Sequence, residues 1–114
     1  MHEMSIISAV LDTAREEERQ HPDSRVTKIG LRIGEWAGVD CESLRFCFDA
    51  LVATDAKPPV LDIEFLPRQN RCEKCNQVFV LKDFDIACPA CGASPTTPVS
   101  GDELEVAYLE LEET

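Results

Sequence analysis

Two Cys-x-x-Cys pairs constrain this chain more than any other feature of its sequence. The pairs are separated by twelve residues and supply four cysteines, Cys72, Cys75, Cys88 and Cys91. Four thiolates at this spacing are the ligand set that a structural zinc ion prefers, in tetrahedral geometry. Asn76 and Gly92 follow the two pairs, and these residue types enter the left-handed backbone region most cheaply, as a turn back after each pair requires. The spacing therefore predicts a zinc site formed by two equivalent turns.

Other uses of these cysteines stay open at this point. A pair of disulfides would need an oxidising compartment. Iron can replace zinc in a site of four sulfurs, as in an electron carrier of the rubredoxin kind. Four unrelated cysteines are the remaining alternative, which the paired spacing disfavours.

Length and charge narrow the possible functions. A chain of 114 residues normally forms one domain, and a second lobe is possible only if a metal supports it. With 22 acidic and 11 basic residues the net charge is −11, which would repel a nucleic-acid backbone. No apolar run is long enough to span a membrane, and the first residues lack the basic segment of a secretory signal. We therefore expect a cytoplasmic protein with neither a nucleic-acid partner nor a membrane partner.

Hydrophobic periodicity predicts two helices. Apolar residues recur at three- and four-residue steps over residues 3–20, and Pro22 breaks this pattern. A second helix is expected after Asp40, whose side chain can cap it. The apolar face of the first helix is expected to contain Met4, Ile6, Ile7, Val10, Leu11 and Ala14, and that of the second Leu44, Cys47, Phe48, Leu51 and Val52.

Two-residue alternation predicts the strands. The pattern favours strands over residues 27–33 and 61–65 and a third strand from Leu104. The apolar parity of the third strand shifts before Leu109, which indicates either a bulge near Ala107 and Tyr108 or a strand buried on both faces. A short strand is expected between the cysteine pairs, over residues 78–81.

The cysteine region lies between the second and third of these main strands. The sequence therefore predicts an α+β fold in which two helices pack on a three-stranded sheet. This lobe would comprise residues 1–67 and 102–114, and residues 68–101 would form an inserted zinc-ribbon lobe. Because about 30 residues cannot build a core that outweighs their chain entropy, the ion is expected to hold the inserted lobe folded.

The amino terminus suggests a second metal site. In Met1-His2-Glu3 the α-amino group, the intervening amide nitrogen and the His2 imidazole can form chelate rings around a square-planar ion such as Ni(II) or Cu(II). Glu3 can supply a further ligand. Such a site is small and easily dissociated, which suits the transport of a metal. Taken alone, His2 is explained equally well as an exposed residue of a frayed terminus.

The order of these motifs resembles one known family. An initial Met-His-Glu leading into an amphipathic helix, a strand that ends Ile33-Gly34-Glu35, the helix segment Leu44–Asp49 and a late pair of Cys-x-x-Cys motifs are together similar to the HypA/HybF family. Its members are accessory proteins that insert nickel into hydrogenase. The resemblance covers essentially the whole chain.

The resemblance implies a nickel metallochaperone that is not an enzyme. It implies transient Ni(II) ligation by Met1, His2 and Glu3, with Asp40 as a secondary candidate, and structural Zn(II) at the four cysteines. The implied partners are a HypB-type GTPase and the large subunit of a [NiFe] hydrogenase, and some members also serve urease through its accessory proteins.

Two functions of other classes compete with this interpretation. One is a zinc-ribbon interaction module without nickel, and the other is the iron-based electron carrier. Catalysis has little support, since two histidines offer no Ser-His-Asp or Cys-His constellation and no glycine-rich phosphate loop is present.

Overall fold

Two helices and six strands make up the part of the chain that the structure describes, residues 3–114 of a computed structural model. In chain order the elements are α1 (Glu3–Gln20), β1 (Ser24–Gly34), α2 (Cys41–Leu51), β2 (Val60–Leu66), β3 (Gln69–Arg71), β4 (Val78–Val80), β5 (Thr97–Ser100) and β6 (Leu104–Glu113). Three strands form one sheet in the order β2-β1-β6, and the other three form a second sheet in the order β4-β3-β5. The predicted α+β fold, with two helices, a three-stranded sheet and a cysteine-bearing ribbon, is confirmed.

The chain divides into two compact units. The helix–sheet unit contains residues up to Arg32 together with Val39–Glu64 and Glu105–Thr114. The ribbon unit contains Ile33–Gly38 and Phe65–Leu104. The loop that follows β1 thus belongs to the ribbon unit.

Helix α1 has the predicted bounds and supplies much of the core of the helix–sheet unit. It contacts α2, and its buried side chains are Ile6, Ile7, Val10, Leu11 and Ala14. Met4 was expected on the same face, but it lies in the first turn of the helix and is 43% exposed. The buried part of the apolar stripe therefore begins at Ile6.

Asp40 caps α2 as predicted. Its Oδ1 accepts hydrogen bonds from the backbone N–H groups of Glu42 and Ser43, at 3.0 and 3.3 Å, which satisfies donors that the first turn leaves free. Leu44 and Phe48 are buried below this cap. Leu51, expected on the buried face, is the last residue of the helix and is 37% exposed, and Cys47 is only half-buried.

Tyr108 covers one face of the sheet, opposite the face that carries the buried aliphatic side chains of β1. A Cβ atom at Gly30 would lie 2.0 Å from the Tyr108 ring, so only glycine fits beneath it. The Tyr108 hydroxyl donates to Asp62 Oδ2 at 2.5 Å, which joins β6 to β2 across β1. Arg32 on the same face of β1 pairs with Glu105. Glu105 and Tyr108 lie three positions apart in β6, and the bulge expected near Ala107 stays a prediction.

The ribbon unit is built on a sheet of three very short strands. Central strand β3 pairs antiparallel with β4, where Asn70 lies opposite Phe79, and with β5. Strand β4 was predicted from its sequence, but β3 and β5 were not. With three and four residues, these strands are too short to show alternation.

Candidate metal centre

Two equivalent turns carry the four cysteines. In the first turn the N–H of Asn76 donates to the carbonyl of Cys72, at 2.7 Å, and in the second the N–H of Gly92 donates to the carbonyl of Cys88, at 2.8 Å. Asn76 has φ 63° and Gly92 has φ 76°, so both enter the left-handed region as predicted. Each turn thereby folds its two sulfurs toward the same point.

The four sulfurs, those of Cys72, Cys75, Cys88 and Cys91, meet in one cluster. All four Sγ atoms lie within 4.8 Å of one another. The Sγ atoms of Cys72 and Cys91 are 3.5 Å apart, and those of Cys75 and Cys88 are 3.7 Å apart. A disulfide requires about 2.05 Å, and no cysteine is bonded to another among the described residues. Zn–S bonds of about 2.3 Å in a tetrahedron place sulfurs about 3.8 Å apart. The donor set and its spacing therefore fit zinc, and iron would accept the same geometry.

Backbone N–H groups in the turns polarise the first sulfur of each pair. A hydrogen bond from the backbone of Cys75 lowers the pKa of the Cys72 thiol to about 7. A hydrogen bond from the backbone of Cys91 lowers the pKa of Cys88 in the same way. Because metals bind thiolates, these donors favour the ligating form at the first cysteine of each pair. The neighbouring sulfurs and burial instead raise the pKa of the second cysteines, Cys75 and Cys91.

A buried polar network lies behind the second turn. Asn70 Nδ2 donates to Thr96 Oγ1 at 2.9 Å, and that hydroxyl donates to the carbonyl of Ile86, two residues before Cys88. Asn70 is 2% exposed. This network could not be predicted from the sequence, because an isolated Asn and a Thr separated by 26 residues carry no recognisable spacing.

The predicted nickel ligands lie partly outside the described residues. Met1 and His2 are not among those residues. Glu3 begins α1 and is half-buried, and its Oε2 accepts a hydrogen bond from the backbone N–H of Asp40 at 3.2 Å. The structure thus brings together two of the predicted residues, Glu3 and Asp40, at the amino-terminal end of α2.

The remaining histidine and cysteines lie outside the sulfur cluster. His21 follows α1, is exposed, and its Nδ1 lies 3.1 Å from the carbonyl of Glu17. Cys41 and Cys47 are half-buried on α2. Within residues 3–114, no helix is both long and apolar enough to span a bilayer.

Comparison with known proteins gives consistent matches over the whole chain. Residues 1–111 match the family described as "Hydrogenase/urease nickel incorporation, metallochaperone, hypA". The hydrogenase maturation factor HypA of Methylocella silvestris is 40% identical over 113 residues, which cover 98% of this chain and 100% of that protein. HypA of Chlorobaculum parvum is 41% identical with the same coverage.

Solved structures show the same fold. The solution structure of the Ni metallochaperone HypA from Helicobacter pylori aligns with a TM-score of 0.62 at 21% identity and covers 100% of both chains. A second HypA solution structure aligns with a TM-score of 0.68 at 23% identity, over 98% of this chain and 97% of the other.

Members of the matched family are maturation factors and not enzymes, in agreement with the expectation from the sequence. The four-cysteine cluster fits the zinc binding predicted for the inserted ribbon. The family match spans nearly all of the chain, and relatives at about 40% identity are covered end to end. This chain belongs to the HypA family of hydrogenase/urease nickel-incorporation metallochaperones.

Proposed function

We propose that this chain binds Ni(II) reversibly at its amino terminus and delivers it to the large subunit of a [NiFe] hydrogenase. The observation that carries the proposal is the family match from residue 1 to residue 111, because the family description names nickel incorporation. The same description names urease, which is therefore the alternative client. The chemistry is ligand exchange, in which nickel passes from a weak chelate to a deeper site in the client protein.

The proposed nickel ligands are the α-amine of Met1, the imidazole of His2 and Glu3. The hydrogen bond between Glu3 and the backbone of Asp40 supports this assignment, because it holds one candidate carboxylate beside another. Both capping hydrogen bonds of Asp40 use the same oxygen, Oδ1. Its second oxygen is the atom that would approach the nickel ion.

The remaining parts of the proposal concern the ribbon and the partners. Zn(II) at the four cysteines holds residues 68–101 as the inserted lobe, since the cluster geometry fits zinc. Nucleotide hydrolysis belongs to a HypB-type GTPase. The protein acts in the cytoplasm, where zinc thiolates persist in reduced form.

A delivery protein needs an intermediate affinity for its cargo. Nickel has to be selected from solution and then released, which calls for a roughly micromolar dissociation constant, about −8 kcal/mol. Protons compete for the ligands, because the free amine titrates at about 7.7 to 8.0 and imidazole at about 6.5. Affinity for nickel is therefore expected to fall as the pH drops from about 7.5 to about 5.5.

Calorimetric titration of untagged protein with Ni(II) tests the proposal. Histidine occurs at only two positions, so His21→Ala is a matched control for His2→Ala. We expect His2→Ala to weaken nickel binding by at least about tenfold, equivalent to the loss of one ligand, and His21→Ala to leave it unchanged. Equal effects of the two substitutions, or unchanged affinity in His2→Ala, would favour a zinc-ribbon interaction module without a nickel site.

The same titration separates the two roles of Asp40. Asparagine caps a helix about as well as aspartate but carries no charge. If the Asp40 carboxylate approaches nickel, Asp40→Asn lowers the affinity for nickel but not the melting temperature. Asp40→Ala then lowers both the affinity and the melting temperature. If Asp40 only caps α2, Asp40→Asn resembles the unmodified protein in both measurements.

A further inference from the structure

Trp36 and Phe84 form an aromatic pair on the surface of the ribbon unit. Their ring centroids are 5.2 Å apart and their planes are tilted by 34°. Trp36 is 38% exposed and Phe84 is 76% exposed, more than any other large apolar side chain in the part of the chain that is described. An aromatic ring left this open contributes little to folding, because burial is what makes its apolar surface stabilising.

The backbone that presents Phe84 is strained. Asp83 and Phe84 both have positive φ, 53° and 65°, in a tight turn where the N–H of Asp85 donates to the carbonyl of Lys82 at 3.0 Å. Turns with two residues in the left-handed region favour Asn and Gly. A bulky side chain there is an outlier that the surrounding structure has to maintain. Such strain at an exposed ring points to a role at the surface.

Trp36 is held in place by its backbone and by the side chain of Arg68. The backbone N–H of Trp36 donates to the carbonyl of Gly101 at 2.8 Å, and the Arg68 guanidinium carbon lies 4.4 Å from the centroid of the Trp36 ring. The Arg68 side chain is only 10% exposed, and its Nη1 is 2.7 Å from Asp102 Oδ1. The ring is thus fixed before any partner arrives, which lowers the entropy lost on binding.

Acidic residues are the chain neighbours of both aromatic residues. Asp83 and Asp85 flank Phe84 in the turn, Glu35 precedes Trp36, and all three are exposed. Lys82 is exposed beside them, and the Arg68 guanidinium that packs on Trp36 is paired with Asp102. Aromatic faces attract cations, and carboxylates bind guanidinium and ammonium groups. A second copy of this chain or an anionic membrane would instead be repelled by a protein of net charge −11.

We propose that Trp36, Phe84 and the flanking carboxylates of Glu35, Asp83 and Asp85 form a docking surface for a partner protein. The segment that docks there presents Arg or Lys next to an apolar side chain. The cation lies over the exposed Phe84 face and pairs with the turn carboxylates, while the apolar side chain covers the edge of the Trp36 ring. None of these residues is a proposed nickel ligand or a cluster cysteine.

The intrinsic fluorescence of Trp36 provides a direct test, because it is the only tryptophan of the chain. The full-length, metal-loaded protein is titrated at low salt with an amidated Arg-Leu-Arg-Leu peptide and, in parallel, with Glu-Leu-Glu-Leu. We expect a saturable fluorescence change with the basic peptide alone. Phe84→Ala should weaken this binding by about fivefold, the loss of one cation–π contact. Phe46→Ala removes a ring that is 74% exposed on α2 and serves as the matched control, with binding unchanged.

Phe84→Gly separates docking from folding. Glycine adopts positive φ without strain, so this variant should melt at the same temperature as the unmodified protein or higher while binding the basic peptide as weakly as Phe84→Ala. The proposal is overturned if neither peptide changes the fluorescence, if both peptides bind equally, or if Phe46→Ala weakens binding as much as Phe84→Ala. Sedimentation that shows dimers of the free protein, dissociated by Phe84→Ala, would assign the surface to a second copy instead.

Discussion

The helix–sheet unit and the ribbon unit bury different kinds of side chain. In the former, α1, α2 and β1 contribute aliphatic and aromatic residues, among them Ile7, Ile29 and Leu44, each fully buried. In the latter, the buried residues that are described include two of the cluster cysteines and three polar residues, Arg68, Asn70 and Thr96. Ile33 and Leu81 are its buried aliphatic residues.

This difference indicates what stabilises each unit. A fully buried aliphatic side chain contributes about 1.5–3 kcal/mol, so the helix–sheet unit can be stable through its apolar core. The ribbon unit lacks such a core, and its short strands offset little chain entropy. Its stability therefore depends on a metal at the sulfur cluster and on hydrogen bonds behind it.

Removal of the metal is expected to have the largest effect. Structural zinc in small domains contributes about 10 kcal/mol or more at neutral pH, so a chelator, or Cys88→Ser, should unfold the ribbon unit. In a two-dimensional NMR spectrum the amide signals of β3, β4 and β5 should collapse to random-coil positions, while those of α1 keep their dispersion. Cys47→Ser, on α2 and outside the cluster, is the control and should retain the metal. If the ribbon signals persist without metal, the ribbon unit does not depend on the metal for its stability.

Truncation of the aliphatic core should destabilise the helix–sheet unit. Leu44 is fully buried on α2 whereas Leu51 on the same helix is 37% exposed. Leu44→Ala should lower the free energy of unfolding by about 3 kcal/mol, and Leu51→Ala by less than about 1 kcal/mol. Urea denaturation followed by circular dichroism at 222 nm measures both. Zinc content should be unchanged in either variant, and loss of zinc in Leu44→Ala would show that the two units are not stabilised separately.

Loss of the buried amide in the ribbon should have a smaller effect. Asn70→Ala removes the hydrogen bonds to Thr96 and should cost about 1–2 kcal/mol. Because the network supports the strand residues behind the cysteine turns, chelators should remove the metal from this variant more quickly. Arg71→Ala changes an exposed residue of the same strand and is the control. Identical rates of metal loss in the two variants would rule out support of the cluster by Asn70.

Much of the helix–sheet unit could be predicted because its signals are local. The apolar stripe and Pro22 indicated α1, and the position of Asp40 before a second stripe indicated the capped start of α2. The four cysteines could be grouped because each turn fixes two sulfurs within four residues. By contrast, β3, β5, the Asn70 network and the packing of Trp36 on Arg68 depend on contacts between residues far apart in sequence. The contact of Glu3 with Asp40 spans 37 residues, and no local pattern indicates it; the family resemblance only placed both residues among the nickel candidates.

The smallest expected effect is a dependence of stability on alkaline pH. The hydrogen bond to Asp62, with partial burial, raises the pKa of Tyr108 to about 12, above the usual value of about 10. The folded state therefore favours the protonated phenol. The contribution of the Tyr108 hydroxyl to the free energy of unfolding is complete below about pH 10 and is lost as the pH rises through about 12. Tyr108→Phe keeps the ring over Gly30 but lacks the hydroxyl. The stability difference between the two proteins should be constant from pH 7 to pH 9 and should shrink above pH 10, and a difference that grows there would contradict the assignment.

The proposed function requires two separate metal sites, a dissociable one at the amino terminus and a structural one in the ribbon. X-ray absorption spectra at the nickel and zinc edges, measured on untagged protein loaded with both metals, distinguish the two ligand sets directly. We predict nickel surrounded by nitrogen and oxygen ligands, including imidazole, and zinc surrounded by four sulfurs. Sulfur in the first coordination shell of nickel would contradict the proposed amino-terminal site.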